Sequence, residues 1–311
     1  MSNLSKTLIL LHLFALVIFG ITGCTNLTYT EVSLKPSATD GQKHSSSPKS
    51  QEQIRFALAT GISPEKNIAI YGSLAAFLEE QLDRPVKIVQ RKSLAEMNSL
   101  IEKGKVDVAL LSASAYLKSR ETGVVEPLVV AKISGEVFHK AYILVQKDAP
   151  FYNMEDLAGE TVVFSDPWSG SGAIYPMAYL KKKDKTPEAF FGNYFYSYCY
   201  FKSVAAVLSG MAKAAAIDGC SYELLVAKGY INPTKLRVIE TYQNVPNPII
   251  VVRQDLSSEV KQNIKKALLD ADNPKPNTFE QLHFTGFQEL ENRNLEELNQ
   301  YMGQVLYDGS S

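Results

Sequence analysis

Two serines alternate with two glycines at Ser169-Gly170-Ser171-Gly172, within the stretch Phe164 to Pro176, and this is where the chain's residue types and spacing could do chemistry. The β-branched run Thr161-Val162-Val163-Phe164 precedes it, and Ala173 to Lys182 follows with apolar residues at helical spacing, which reads as strand, loop, helix start. The first turn of a helix leaves backbone N–H groups without partners, and the summed peptide dipoles place partial positive charge there. Glycines at 170 and 172 let backbone come close to a ligand, and hydroxyls at 169 and 171 add donors, so a phosphate-like or carboxylate group would be held well. The same residues also suit an ordinary N-cap and turn, so the setting has to decide. No Lys follows the glycines, which excludes a phosphate-binding loop of the nucleotidase type, and the spacing is not a dinucleotide fingerprint.

The setting is a chain of 311 residues, 45% hydrophobic and 21% charged, long enough for two lobes. A net charge of −1 offers no basic stripe to neutralise phosphates, so nucleic acid is not expected as a partner. Lys6, an apolar run from Leu8 to Phe19, and Ile21-Thr22-Gly23-Cys24 form an export signal over 1–23. Its end resembles the lipobox of bacterial lipoproteins, which implies cleavage before Cys24, lipidation of its sulfur and a protein anchored outside the cytoplasmic membrane. Residues 24–53 are rich in Ser, Thr, Lys, Pro and Gln and read as a flexible tether.

From Ile54 onward strands and helices alternate. Strands are expected at 54–59, 86–89, 106–111, 141–147, 161–164, 194–199, 214–217 and 248–253, with helices between them and after Glu259. This pattern predicts two α/β lobes with mostly parallel sheets, the first over 54–147, the second over 148–246, and a return to the first over 247–311. Two crossings make a hinged clamp with a ligand cleft at the carboxyl ends of the strands. Tyr71 and Tyr116, each near a loop after a strand, would face the serine-glycine loop from the opposite lobe.

Other chemistry has less support. His12, His44, His139 and His283 are scattered, so neither a metal cluster nor a cofactor site is expected, and no histidine is placed to serve Ser169 or Ser171 as a base. An enzyme is therefore not expected. Cys199 and Cys220 each follow an expected strand in the second lobe, and are either a disulfide near the cleft or two separate buried thiols. The aromatic run 194–201 reads as a strand with rings on both faces in preference to a stacking platform, and Lys181 to Lys185 as the solvated end of a helix.

Taken together, the folded part resembles the substrate-binding proteins of phosphate, phosphite and phosphonate ABC transporters. The residues that carry the resemblance are Ile62-Ser63-Pro64-Glu65 with Tyr71, Asp107-Val108-Ala109 with Tyr116, Asp166-Pro167 with Ser169-Gly170-Ser171-Gly172, Ala214 to Asp218 with Tyr222-Glu223, and Val245-Pro246-Asn247-Pro248. The resemblance implies the two-lobe α/β fold of periplasmic binding proteins, type 2 class, acting as a monomer that passes a small phosphorus oxyanion to an ABC permease. A lipoprotein that senses the ligand for a membrane kinase or receptor is the alternative.

The resemblance also implies that Ser169, Gly170, Ser171 and Gly172 hold the oxyanion, that Tyr71 and Tyr116 donate from the other lobe, and that Asp218 accepts a proton from the ligand. Two departures bear on the ligand. Cys199-Tyr200-Phe201 stands where many members have Ser-His-Asp, leaving Tyr200 as a neutral donor, and Asn247 stands where binders of aminoalkylphosphonates have an acid. A less cationic ligand, such as phosphite or methylphosphonate, is expected.

Overall fold

The computed structural model describes residues 53–59, 64–270 and 283–306. The expected signal peptide, Cys24, all but the last residue of the tether, and the landmark pair Ile62-Ser63 lie outside them.

The first lobe is built on β1 (Ile54–Ala59), β2 (Val86–Arg91), β3 (Val108–Leu111), β4 (Val125–Ile133), β10 (Ile249–Arg253) and β11 (Phe284–Gln288), in the order β11-β4-β10-β3-β1-β2. All four residues of β3 are buried, as befits an unbroken apolar run in the middle of a covered sheet. At the far end of β1 and β3 from the serine-glycine loop, Asp107 takes a two-pronged bond from Arg55, Nε at 2.8 Å and Nη2 at 2.6 Å. That landmark therefore ties strands together.

The second lobe holds β5 (Phe138–Gln146), β6 (Thr161–Phe164), β7 (Asn193–Tyr196), β8 (Ala214–Asp218) and β9 (Leu236–Pro246), ordered β7-β6-β8-β5-β9. Neither sheet is mostly parallel. β1 runs parallel to β2 and β3, and β6 to β7 and β8, but β10 opposes β3 and β4, β11 opposes β4, and β5 opposes β8 and β9. Three strands, β4, β9 and β11, escape a reading of hydrophobic pattern, and two show why. β4 contains Pro127, accommodated where the pairing register with β10 shifts at Ile250/Val251; β9 is a sheet edge with few buried residues.

The helices are α1 (Pro64–Leu82), α2 (Leu94–Glu102), α3 (Ala113–Arg120), α4 (Tyr175–Lys181), α5 (Pro187–Phe190), α6 (Tyr200–Leu208), α7 (Gly219–Ala227), α8 (Ser258–Leu269) and α9 (Glu296–Leu306). Ser93 and Glu96 form a reciprocal capping box at the start of α2. The C-terminal helix α9, expected against the first lobe, instead meets both, packing on α3 and on α4. Lys182 Nζ reaches Tyr301 Oη at 2.9 Å, and Arg120 Nη2 reaches Asn299 Oδ1 at 3.3 Å.

Because β5 belongs to the second sheet, the first crossing between lobes lies at 134–137 and not after Lys147. Ser134 and Gly135, with φ of 52° and 84°, turn the chain there. The second crossing is Asn247-Pro248, between β9 and β10. Asn247 is fully buried and stitches the two crossings: its N–H donates to Val137 O at 2.9 Å, and its Nδ2 donates to Ala131 O at 3.0 Å and Glu136 O at 2.8 Å.

Candidate functional site

Between the lobes lies a cavity of about 150 Å³. Several helix starts converge on it. Leu94 opens α2 and Ser112 caps α3 from the first lobe; Ser169, Tyr200 and Asp218 stand at the starts of three helical segments of the second. Each start brings partial positive charge and N–H groups that lack a partner within the helix, so the cavity favours an anion.

The helix after β6 begins earlier than its sequence suggests. Gly170–Ile174 forms one π turn that runs into α4, so the glycines lie inside the helix and not in a loop before it. Ser169 caps the turn, its Oγ accepting from Gly172 N at 3.0 Å and sharing a 3.0 Å bond with Tyr200 Oη. Gly172 serves packing, not ligand approach: a Cβ there would fall 1.6 Å from Ser165 Oγ and 2.7 Å from Ser165 Cβ. Gly170 has ordinary space around it, and its N–H donates to Ser114 Oγ at 2.9 Å.

Bonds across the cleft hold the lobes together. The Asp166 carboxylate accepts from Leu94 N at 3.0 Å, capping α2 from the opposite lobe, and from Trp168 N at 2.8 Å. Ser114 Oγ donates to Trp168 O at 2.6 Å, and Lys92 Nζ sits 4.8 Å from the centre of the Tyr198 ring. Burial raises the Asp166 pKa, partly offset by its two N–H donors.

At the hinge end of the cavity, His139 of β5 and Asp218 of β8 form an ion pair, Nε2 to Oδ2 at 2.5 Å. Ser171 Oγ lies 3.1 Å from the same nitrogen and 3.3 Å from the same oxygen. The other carboxylate oxygen caps α7, accepting from Ser221 N at 2.7 Å. Burial alone would lower the imidazole's pKa, but the Asp218 charge and hydrogen bonds from Asp218 and Asn247 outweigh it, and the net shift is upward. Burial likewise raises Asp218, and the imidazolium reverses this, leaving the carboxyl below its usual range. Burial first, then the Asp218 charge, raises the phenols of Tyr71 and Tyr200, which stay protonated donors.

Of the residues singled out from sequence, Tyr71, Ser169, Tyr200 and Asp218 line the cavity. Ser171 stands behind it on the His139–Asp218 pair. Asn247 does not line the cavity; it lies at the second crossing, where its amide bonds the first crossing and His139. Tyr116 does not line the cavity: it is buried on α3 in the core of the first lobe, and the N-cap Ser112 of that helix faces the cavity instead. Cys199 and Cys220 both border the cavity and are not joined in a disulfide. The aromatic run makes a strand only to Tyr196; Tyr198 turns with φ of 56° and Tyr200 opens α6.

Sequence reasoning missed His139, Ser165 and Asp166 as cavity residues. His139 does touch Ser171, against expectation, with its Nε2 also engaged by Asp218 and Ser171 off the cavity wall. Ser165 is buried just after β6, its Oγ beside the Tyr200 phenol and against Gly172. The serine directly after an apolar strand was the available signal.

Comparison with known proteins agrees with this geometry. A family profile described as "ABC transporter, phosphonate, periplasmic substrate-binding protein" matches residues 56–295. The phosphate-import protein PhnD of Mycolicibacterium smegmatis is 26% identical over 248 residues, covering 75% of this chain and 77% of that protein. In fold, the binding component of a Pseudomonas aeruginosa ABC phosphonate transporter superposes with a TM-score of 0.75 at 21% identity, covering 81% of this chain and 85% of the other. PhnD1 of Prochlorococcus marinus, solved with methylphosphonate, superposes with a TM-score of 0.72 at 15% identity, covering 81% and 98%. A profile match across most of the chain, on a two-lobe α/β clamp with an anion-favouring cavity, makes this chain a member of the phosphonate family of periplasmic substrate-binding proteins of ABC transporters.

Proposed function

We propose that the chain captures a small phosphorus oxyanion, a phosphonate such as methylphosphonate or else phosphite or phosphate, in this cavity and presents it in the closed form to an ABC permease. The observation that carries the reading is the convergence of helix starts from both lobes on one cavity lined by Tyr71, Ser169 and Tyr200. Ser165, Ser169 and Tyr200 from the second lobe and Tyr71 from the first would hold the oxyanion. Leu58, Leu110 and Phe284 give the cavity an apolar share that suits a methyl group or a P–H bond. Its carboxylates, Asp166 and Asp218, are already bonded to protein groups, which disfavours a ligand ammonium and supports methylphosphonate over 2-aminoethylphosphonate.

Each lobe supplies part of the site, so ligand stabilises the closed form through contacts that only closure completes. No chemical step is part of this role. Cys24 is the proposed lipid attachment point, placing the clamp at the outer face of the membrane, and Cys24→Ser should move the protein from the membrane to the soluble fraction on detergent phase separation.

Calorimetric titration with phosphate, phosphite, methylphosphonate, 2-aminoethylphosphonate and a carboxylate control tests the ligand. Binding of one phosphorus oxyanion, weakened about tenfold or more in Ser165→Ala because a charge-assisted bond is lost, is the expected result. Silence toward every phosphorus compound would overturn it.

A further inference from the structure

The hinge end of the cavity presents an electrostatic problem, since a carboxylate lines a cavity built for an anion. The hydrogen bonds around His139 resolve it. Asn247 Nδ2 faces two backbone carbonyls, Ala131 O and Glu136 O, which can only accept, so the amide's orientation is settled and Oδ1 points at His139 Nδ1, 2.9 Å away. Nδ1 must therefore carry a proton. At 2.5 Å, Nε2 and Asp218 Oδ2 cannot face each other as two lone pairs, so a second proton lies in that contact. Whichever atom holds it, the pair carries no net charge.

We infer that His139 is a specificity-determining residue: the proton it shares with Asp218 lets the cavity hold a carboxylate and a doubly charged oxyanion together. This rests on the phosphorus-oxyanion reading and deepens it. Asp218 is then not the group that accepts the ligand's own proton, because its oxygens are taken up by His139, Ser171 and Ser221. Loss of the shared proton uncovers a negative charge beside the ligand.

The groups that set this proton's affinity are close by. Asp218 on β8 and Glu223 on α7 both favour the protonated imidazole. Tyr71 from α1, Tyr200 from α6 and Cys220 from α7 lie near Asp218, each held neutral by burial and by that charge. Lys92 and Asp166 line the same cavity. A phosphonate carries between about one and two negative charges near neutral pH, so the cost of an uncovered carboxylate falls on the form in which the ligand arrives.

The test is the affinity for methylphosphonate, by calorimetry between pH 5.5 and 9, of the wild-type protein and of His139→Gln, Asp218→Asn and the double variant, with thermal melting to check folding. Wild-type affinity should fall as pH rises and the shared proton leaves. His139→Gln should bind roughly tenfold or more weakly at pH 7, one unit of proton affinity corresponding to about tenfold, and the double variant should regain most of that loss. Binding by His139→Gln within about twofold of wild type with an unchanged pH profile would overturn the inference, as would a double variant no better than His139→Gln, which is what a packing role gives. Absence of wild-type binding to methylphosphonate and to inorganic phosphate would overturn the ligand reading, and this inference with it.

Discussion

Replacing Gly172 by alanine puts a methyl group where the helix meets the end of β6. The new Cβ would lie 1.6 Å from Ser165 Oγ, 2.7 Å from Ser165 Cβ and 2.9 Å from Ser169 Oγ. Rotating the Ser165 hydroxyl relieves only the first of these, because its Cβ is fixed by the backbone of the strand. The helix start must move, and overpacking of this kind costs about 1–3 kcal/mol or more. At about 2–4 °C per kcal/mol for a chain of this class, thermal melting should fall by several degrees. The same displacement shifts Ser169 relative to Tyr200, so ligand affinity should fall with it.

Gly170→Ala is the internal control. The nearest atoms to a Cβ there are at 3.6 to 3.8 Å, ordinary contact, and alanine is favoured over glycine in a helix by up to about 1 kcal/mol, so this variant should melt at or slightly above wild type. Ser165→Gly in the Gly172→Ala background removes both the hydroxyl and the Cβ and should restore melting while leaving binding weak. A Gly172→Ala protein that melts and binds like wild type would refute the reasoning that the second glycine serves helix packing.

Asp166→Ala removes the cap that α2 receives from the opposite lobe; a cap is worth about 1 kcal/mol, so ligand affinity should drop about fivefold with little change in the melting of the ligand-free protein. Asn247→Ala leaves Ala131 O, Glu136 O and His139 Nδ1 without their partner, at about 1–3 kcal/mol for each buried group left unsatisfied, and should lower Tm strongly. The His139–Asp218 pair also gives stability a pH dependence. The raised imidazole pKa contributes stability that is full below about pH 6.5 and is lost as pH rises through the folded value; the lowered Asp218 pKa contributes stability present above about pH 4 and lost as pH falls through its folded value. Melting should therefore decline as pH rises above about 6.5 and through the folded value, and His139→Gln should not show that decline.

Local features of the fold are legible in the chain where one interaction dominates. The unbroken apolar runs of β3 and β8, the Ser93 cap of α2, and the strand-to-helix junction at Ser169 all read directly, because burial and capping act over a few residues. β4 and β9 do not, since Pro127 interrupts one and solvent faces the other, and in both the strand exists because a neighbour pairs with it. The site shows the same division. Ser169 and Tyr200 sit on a recognisable segment, whereas the meaning of Asn247 depends on carbonyls 111 and 116 residues away, and that of His139 on Asp218 across two strands. Tyr116 shows the converse, a residue of suitable chemistry one helical turn beyond the position, Ser112, that reaches the cavity.

The central claim is that the cavity between the lobes closes on a small phosphorus oxyanion. A crystal structure of the protein grown with methylphosphonate tests it most directly. The phosphonate is expected in this cavity, its oxygens bonded to Ser165 Oγ and Tyr200 Oη, with the Leu94–Asp166 and Gly170–Ser114 bonds intact. A phosphonate bound elsewhere, or one in the cavity that makes no bond to Ser165 or Tyr200, would contradict it.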